Sequence, residues 1–267
     1  MTSRIAIIAA LIALAFIAWM KLRPAPLVSS PPPEVKLLEG GVDAAGKFTQ
    51  APETKTLLTR EAAEAEMKKS LNLQTLGPDT FALGLVKFDK RARTMRFPAR
   101  VNLRDEVIEY ALVASTGKAH EALFVTDAKP EHLHLASLLL NVPAALLNGQ
   151  LDEAATFPAS NGVKITVAWK KNGPDAVHDL AELVLVNAAD GQSSAPMTAG
   201  TWFYGGSRFN ALGFLASQEG SFIGLISDSA ALIENPRVDR ARDDIHFPNK
   251  ALLPAKGTQV EFVVQLP

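Results

Sequence analysis

The sequence predicts a mainly β protein, β-rich α+β in class: a curled sheet or sandwich with one buried helix, preceded by an N-terminal membrane helix. Three observations carry this. Short apolar runs of strand length, separated by turn residues, recur from Gly77 onward. One segment, Pro130 to Val142, is apolar over a helical length. Residues Ile5 to Met20 hold no charge, Pro or Gly and lie between Arg4 and Lys21.

The N-terminal stretch is close to the limit for a spanning helix, which needs about 17–20 apolar residues. Lys21 and Arg23 extend its reach by snorkelling to the interface. A cleavable secretory signal ends in small residues, and the Lys-Leu-Arg-Pro that follows Met20 does not. Residues 1–23 therefore read as a membrane anchor in preference to a cleaved signal. Basic residues nearly balance on the two flanks, so an exported C-terminal part rests on the usual behaviour of a single N-terminal apolar segment. Residues 24–58, with Pro24, Pro26 and Pro31-Pro32-Pro33, read as a semi-rigid linker passing into loop or weak strand. Residues 59–74 read as a short surface helix, capped by Thr59 and supported by Glu64 and Lys68 at i and i+4.

Residues 75–267 form the β-rich domain. Phe81–Phe88 reads as one strand, and Thr94–Leu103 as its hairpin partner, with Pro98 marking an edge or a bulge. Further strands are expected at 106–115, 122–126, 163–169, 179–186, 201–204, 214–216, 221–227 and 260–266. Turns are expected at Asn172-Gly173 and Asp190-Gly191. Val163, Ile165 and Val167 alternate with Lys164 and Thr166, which gives one dry and one wet face. Within Pro130–Val142, Pro130 suits the first helical position, Glu131 suits the dipole, and Pro143 ends the run.

Composition removes whole function classes. The 267 residues carry 27 Lys and Arg against 28 Asp and Glu, and no Cys. No cysteine means no disulfide, no cysteine-ligated iron–sulfur cluster and no thiol nucleophile. A net charge of −1 gives no basic face for nucleic acid.

Two stretches hold the candidate chemistry. The first runs from Lys118 through His120 and Glu121 to His132 and His134. Imidazoles beside carboxylates are metal-ligand or acid–base material. On a helix, positions i and i+2 stand about 200° apart, so His132 and His134 cannot both point at one ion. A divalent transition-metal site would draw on His120, Glu121 and His132, and the alternative is a half-buried His132 with a solvent-facing His134. The second stretch is Trp202-Phe203-Tyr204-Gly205-Gly206-Ser207-Arg208. It reads as a ligand platform of aromatic faces, glycine amides and Arg208, or as core aromatics entering a tight turn. Lys118, His134, Trp202, Tyr204, Ser207 and Arg208 are thus candidate ligand-binding residues. Thr116-Gly117-Lys118 lacks the second glycine and following Ser or Thr of a phosphate loop. No Gly-x-Ser-x-Gly elbow surrounds Ser115. The charges from Asp239 to Asp244 do not have calcium-loop spacing.

The ordered stretches Phe97-Pro-Ala-Arg-Val-Asn102, Gly117-Lys-Ala-His-Glu121, Lys129-Pro-Glu-His-Leu-His134 and Trp202-Phe-Tyr-Gly-Gly-Ser207 resemble the YdjY-like domain family of bacterial exported or membrane-attached proteins. The resemblance covers about Leu76 to Pro267. It implies a bacterial, envelope-located domain; with the N-terminal apolar segment, the expected location is the inner membrane, single-pass, with the C-terminal part in the periplasm. It also implies that Lys118, His120, Glu121, His132 and His134 belong to a recurring pattern, and it supplies no reaction. Three functions are in contention: an anchored domain binding a small ligand or protein partner, a metal-dependent enzyme using the His/Glu site, and an envelope assembly protein that pairs through strand edges.

Overall fold

The computed structural model describes residues 41–42, 48–49, 72–142, 144–145, 157–171, 175–188 and 193–267. The expected anchor (1–23), the helix over 59–71, Pro143 and the turns at 172–173 and 190–191 lie outside these residues. Among the described residues no helix is long and apolar enough to cross a membrane. The chain divides into two compact units, Met1–Thr56 and Leu57–Pro267. In the first, β1 (Gly41–Val42) and β2 (Phe48–Thr49) pair antiparallel.

The second unit opens with β3 (Leu73–Thr75), β4 (Thr80–Leu83), β5 (Val86–Asp89), β6 (Thr94–Val101), β7 (Tyr110–Ala114) and β8 (Ala122–Thr126). Helix α1 (Pro130–Leu139) follows, then β9 (Gly162–Trp169), β10 (Ala176–Asp179), β11 (Val184–Asn187), β12 (Ser194–Pro196) and β13 (Trp202–Tyr204). The chain continues through β14 (Phe209–Asn210), β15 (Gly213–Phe214), α2 (Leu215–Glu219), β16 (Ser221–Gly224), β17 (Ile233–Glu234), β18 (His246–Pro248) and β19 (Gln259–Gln265). Eight strands close on themselves in the order β9-β13-β17-β16-β7-β8-β6-β19 and back to β9. The result is a barrel, one of the ways a sheet removes its exposed edges. The joins β7-β8 and β16-β17 are parallel and the rest antiparallel. Strand β10 flanks β9, and β5-β4-β3 extend from β6.

Period-two patterning builds the wall. In β6, Met95, Phe97, Ala99 and Val101 are buried, while Arg96 and Pro98 are exposed. In β19, Val260, Phe262 and Val264 are buried between exposed Gln259, Glu261 and Gln265. Phe262 stands opposite Phe97 on one side and Val167 on the other. Its ring stacks on Phe97 at 5.6 Å and meets Phe124 edge-on at 5.2 Å. Each buried ring contributes about 2–3 kcal/mol by leaving water.

Several elements differ from the sequence reading for identifiable reasons. The expected strand 81–88 is a hairpin, because Gly84 turns at φ +53° between β4 and β5. Leu73 and Gln74, expected to end the helix over 59–74, belong to strand β3. Pro98 is not at an edge. The outer flank of β6 passes from β5, which pairs as far as Arg96, to β8, which begins at Arg100. In that gap no ladder needs the amide proton of Pro98, and its carbonyl accepts from Thr126 Oγ1 at 2.6 Å. A 3-10 turn at Leu180–Leu183, capped by Asp179 accepting from the Ala181 amide at 2.9 Å, splits the expected strand 179–186. The expected strand 214–216 gives way to α2, which ends at Gly220 with φ +71°.

Helix α1 is the buried helix that its composition predicts. It stops before Pro143: Asn141 takes a left-handed φ of 60°, and the amides of Asn141 and Val142 donate back to the carbonyls of Leu138 and Ser137 at 3.0 and 2.9 Å. This double bond pattern is a Schellman cap. The helix packs on β4, β5, β6 and α2.

Candidate functional site

Three neighbouring groups of polar or aromatic residues occur around β13. Trp202, Phe203 and Tyr204 are all buried, so both faces of this strand are covered. Trp202 and Tyr204 join the main core, whereas Phe203 packs on Phe157 with ring centroids 4.6 Å apart. Arg237 lies over the Trp202 ring at 4.9 Å, and its Nε donates to the Thr198 carbonyl at 2.6 Å. Beside these rings is an open cleft of about 460 Å³. Phe157, Trp202 and Phe203 give it aromatic walls, and Lys164, Thr201 and Gln265 give it polar ones.

The chain leaves β13 through two consecutive left-handed residues, Gly206 at φ 78° and Ser207 at φ 60°. A Cβ on Gly206 would stand 2.5 Å from the Cβ of Ala144, so glycine is required there. Ser207 is not glycine, and its side chain holds the unusual conformation. Its hydroxyl donates to the Ala230 carbonyl at 2.7 Å and accepts from the Ala216 amide at 3.1 Å. Ser207 is therefore occupied within the fold. Arg208, next in sequence, is half-buried.

Behind this elbow lies Glu234, which the sequence reading missed. It pairs with Phe203 in the β13-β17 register and is 6% exposed. Its Oε2 has no hydrogen-bond partner, and a Cβ on Gly205 would approach its Oε1 to 2.8 Å. Burial pushes the carboxyl pKa up to about 7; Asp228 adds to the rise, and Arg208 and Arg240 oppose it. The signal available in the sequence was one acid closing the apolar run Ala230-Ala231-Leu232-Ile233.

Lys118 stands at the other side of Asp228. Its Nζ donates to the Tyr110 hydroxyl at 2.6 Å and pairs with Glu219 at 3.0 Å and Asp228 at 3.6 Å. Tyr110 in turn donates to Asp228 Oδ2 at 2.9 Å. Burial works against the ammonium, but Tyr110, Glu219 and Asp228 outweigh it and hold the Lys118 pKa above its ordinary value. Burial, reinforced by Asp228, raises that of Tyr110. Gly117 fits against the Gly220 backbone, where a Cβ would meet the Glu219 carbonyl at 2.8 Å. The Gly117-Lys118 pair thus fastens the loop after β7 to the end of α2.

The histidines separate. His120 and Glu121 lie in a 3-10 turn at the start of β8, where the His120 side chain is 80% exposed and stands 3.7 Å from Glu121. His132 lies on α1, which follows the far end of β8, and its ring covers Gly84. Among the described residues no group of three or more His, Asp or Glu side chains is placed to hold one metal ion. His134 is buried rather than solvent-facing: its Nδ1 is 2.8 Å from the Tyr204 hydroxyl, which also bonds Ser137. Ser137 Oγ donates its single proton to the His134 carbonyl at 2.7 Å. Tyr204 must then donate to Ser137, and His134 Nδ1–H to Tyr204, for all three contacts to be made. Burial lowers the His134 pKa to about 4 and raises that of Tyr204.

The family model of the YdjY domain matches residues 86–265. The chain belongs to the YdjY domain family. The match starts on the first residue of β5 and ends on the last of β19, so the YdjY domain contains every strand of the closed ring. No curated protein and no solved structure matches the chain. Three of the four stretches that carry the resemblance have a structural reason in this YdjY domain. The Gly117-Lys118 stretch locks the β7 loop to α2, and the His134 stretch meets the Trp202–Ser207 stretch through the Tyr204 hydroxyl. The cleft beside β13 is where the half-buried Phe157 and the exposed Lys164, Thr201 and Gln265 meet open space.

Proposed function

We propose that this YdjY domain is a binding module of the bacterial envelope, held to the membrane by residues 5–20, whose small-molecule or protein partner seats in the cleft beside β13. The observation that carries the reading is the chemistry of the cleft. Phe157, backed by the buried Trp202 and Phe203, supplies apolar contact, and Lys164, Thr201 and Gln265 supply a few polar groups at the rim. Binding sites combine an apolar concavity with sparse polar orientation in this way. The acid–base candidates point elsewhere: Lys118 is taken up by Tyr110, Glu219 and Asp228, and His134 by Tyr204. The envelope location rests on the uncharged stretch Ile5 to Met20 and its basic flanks.

Titration of the full-length protein with anilinonaphthalene sulfonate, an aromatic anion, tests the site. A saturable fluorescence rise is expected in the wild type. Thr201→Trp, a change at an exposed rim residue, fills the cleft and removes that rise without changing the circular dichroism. A rise that survives the substitution sinks the assignment.

A further inference from the structure

The cleft lies on the outer face of the barrel wall and crosses three strands. Gly162 and Lys164 are two residues apart on β9, so they share that face about 7 Å from each other. Phe203 stands opposite Gly162, and Phe157 packs on its ring. Gln265 stands opposite Lys164 on the other flank of β9. The apolar end of the cleft is therefore at Gly162 and the polar end at Lys164. Gly162 keeps the floor open, with the Thr201 Oγ1 beside it, 3.5 Å from where a Cβ would stand. Among the described residues that line the cleft, Lys164 carries the only charged side chain. It is exposed, and no described carboxylate pairs with it. The Thr201 hydroxyl makes no hydrogen bond among the described residues either. The other donors nearby are spent. Gln265 Nε2 donates to the Ala92 carbonyl at 3.0 Å. Arg237, over the Trp202 ring, donates to the carbonyls of Thr198 and Gly200 and to Asn235 Oδ1.

We propose that the cleft selects a small organic anion: a carboxylate on an apolar body of one or two rings, its charge on Lys164 and Thr201 and its body over Gly162 against Phe157. This rests on the binding reading above and names the ligand class for the same site. A lysine without a partner, in a lining that holds no acid among the described residues, attracts a negative charge and disfavours a positive one. Hydrogen bonds from an ammonium or a hydroxyl to a carboxylate are shorter and stronger than those to a neutral carbonyl. One cation matches one negative charge. A doubly charged phosphate monoester would bring a second charge out of water with nothing to balance it. The step of about 7 Å from Lys164 to Gly162 sets the length of the body, since the apolar contact begins where Phe157 and Phe203 meet the floor. A cleft of about 460 Å³ is the size that takes a small molecule.

The test is equilibrium dialysis of the full-length protein in phosphatidylcholine nanodiscs, with empty nanodiscs as the blank. Three probes share one body and differ in charge: naphthoate, neutral naphthamide and cationic naphthylmethylamine. Naphthoate is expected to bind tightest and the amine weakest. Lys164→Met weakens naphthoate about threefold to fivefold, the range of a partly exposed ion pair, and leaves naphthamide unchanged. Lys164→Arg keeps the preference for the anion. Thr201→Trp, which fills the cleft, abolishes binding of both. Equal binding of the three probes, or naphthoate binding that ignores Lys164→Met, overturns the choice of an anion while the cleft remains a binding site. If none of the three binds, or if binding survives Thr201→Trp, the binding reading itself falls and the anion with it.

Discussion

At the scale of single residues, two buried groups set opposite dependences on pH. The folded His134 has a pKa of about 4, below the 6.5 of a free imidazole. The folded state therefore binds fewer protons than the unfolded chain, and stability falls as pH drops from about 6.5 towards 4. Glu234 has its pKa raised from 4.5 to about 7. Its contribution is present below about pH 4.5 and is lost as pH rises through 7. Each shift corresponds to at most about 3 kcal/mol at 1.36 kcal/mol per unit. Over the shared interval, about pH 4.5–6.5, the two slopes oppose each other. Urea midpoints of Glu234→Gln should fall more steeply on acidification than those of the wild type, and His134→Gln should show the reverse slope. Parallel profiles in all three proteins would contradict these assignments. Gly84 offers a second test at this scale. Its φ of +53° and a Cβ position 2.6 Å from His132 Nδ1 leave no room for alanine, so Gly84→Ala should lose at least about 1–2 kcal/mol in chemical unfolding. His132→Ala should restore part of that loss.

At the scale of elements, legibility tracked how local the cause was. Strand β9 was read from Val163, Ile165 and Val167, because alternation is a property of neighbouring residues. Helix α1 was read from its length and from Pro130, but its end was assigned to Pro143, whereas Asn141 makes the cap. An asparagine in a left-handed position leaves only a weak trace in sequence. The hairpin at Gly84 was hidden because apolar residues continue through it on both sides. Asn141→Val should therefore lower the melting temperature by several degrees, about 1–2 kcal/mol of left-handed strain for a β-branched residue, whereas Asn141→Gly should leave it nearly unchanged. Pro98 behaves oppositely to most interior-strand residues. Because no ladder uses its amide, Pro98→Ala should cost less than about 1 kcal/mol, measured by the same unfolding curve.

At the scale of the whole molecule, closure was not legible. A barrel strand and a sandwich strand carry the same alternation, and the parallel joins β7-β8 and β16-β17 depend on chain paths that no local pattern records. The candidate site shows the same limit. Tyr110 and Asp228 are 118 residues apart, and His134 and Tyr204 are 70 apart, so the polar groups around β13 meet only once the ring has formed. Closure predicts where protection is greatest. Amide exchange should be slowest in β6, β9 and β19, whose rings and aliphatic side chains pack at the barrel centre, and fast in β3, whose three residues are exposed. Phe262→Ala removes the ring shared by Phe97 and Phe124, and should cost about 3–5 kcal/mol.

The most direct measurement of the binding reading is a two-dimensional NMR titration of the full-length protein with anilinonaphthalene sulfonate. Chemical-shift changes should gather at Lys164, Thr201, Phe203 and Gln265, around the cleft beside β13. Changes gathered instead at His120, Glu121 or the β3 edge, with the cleft residues silent, would contradict it.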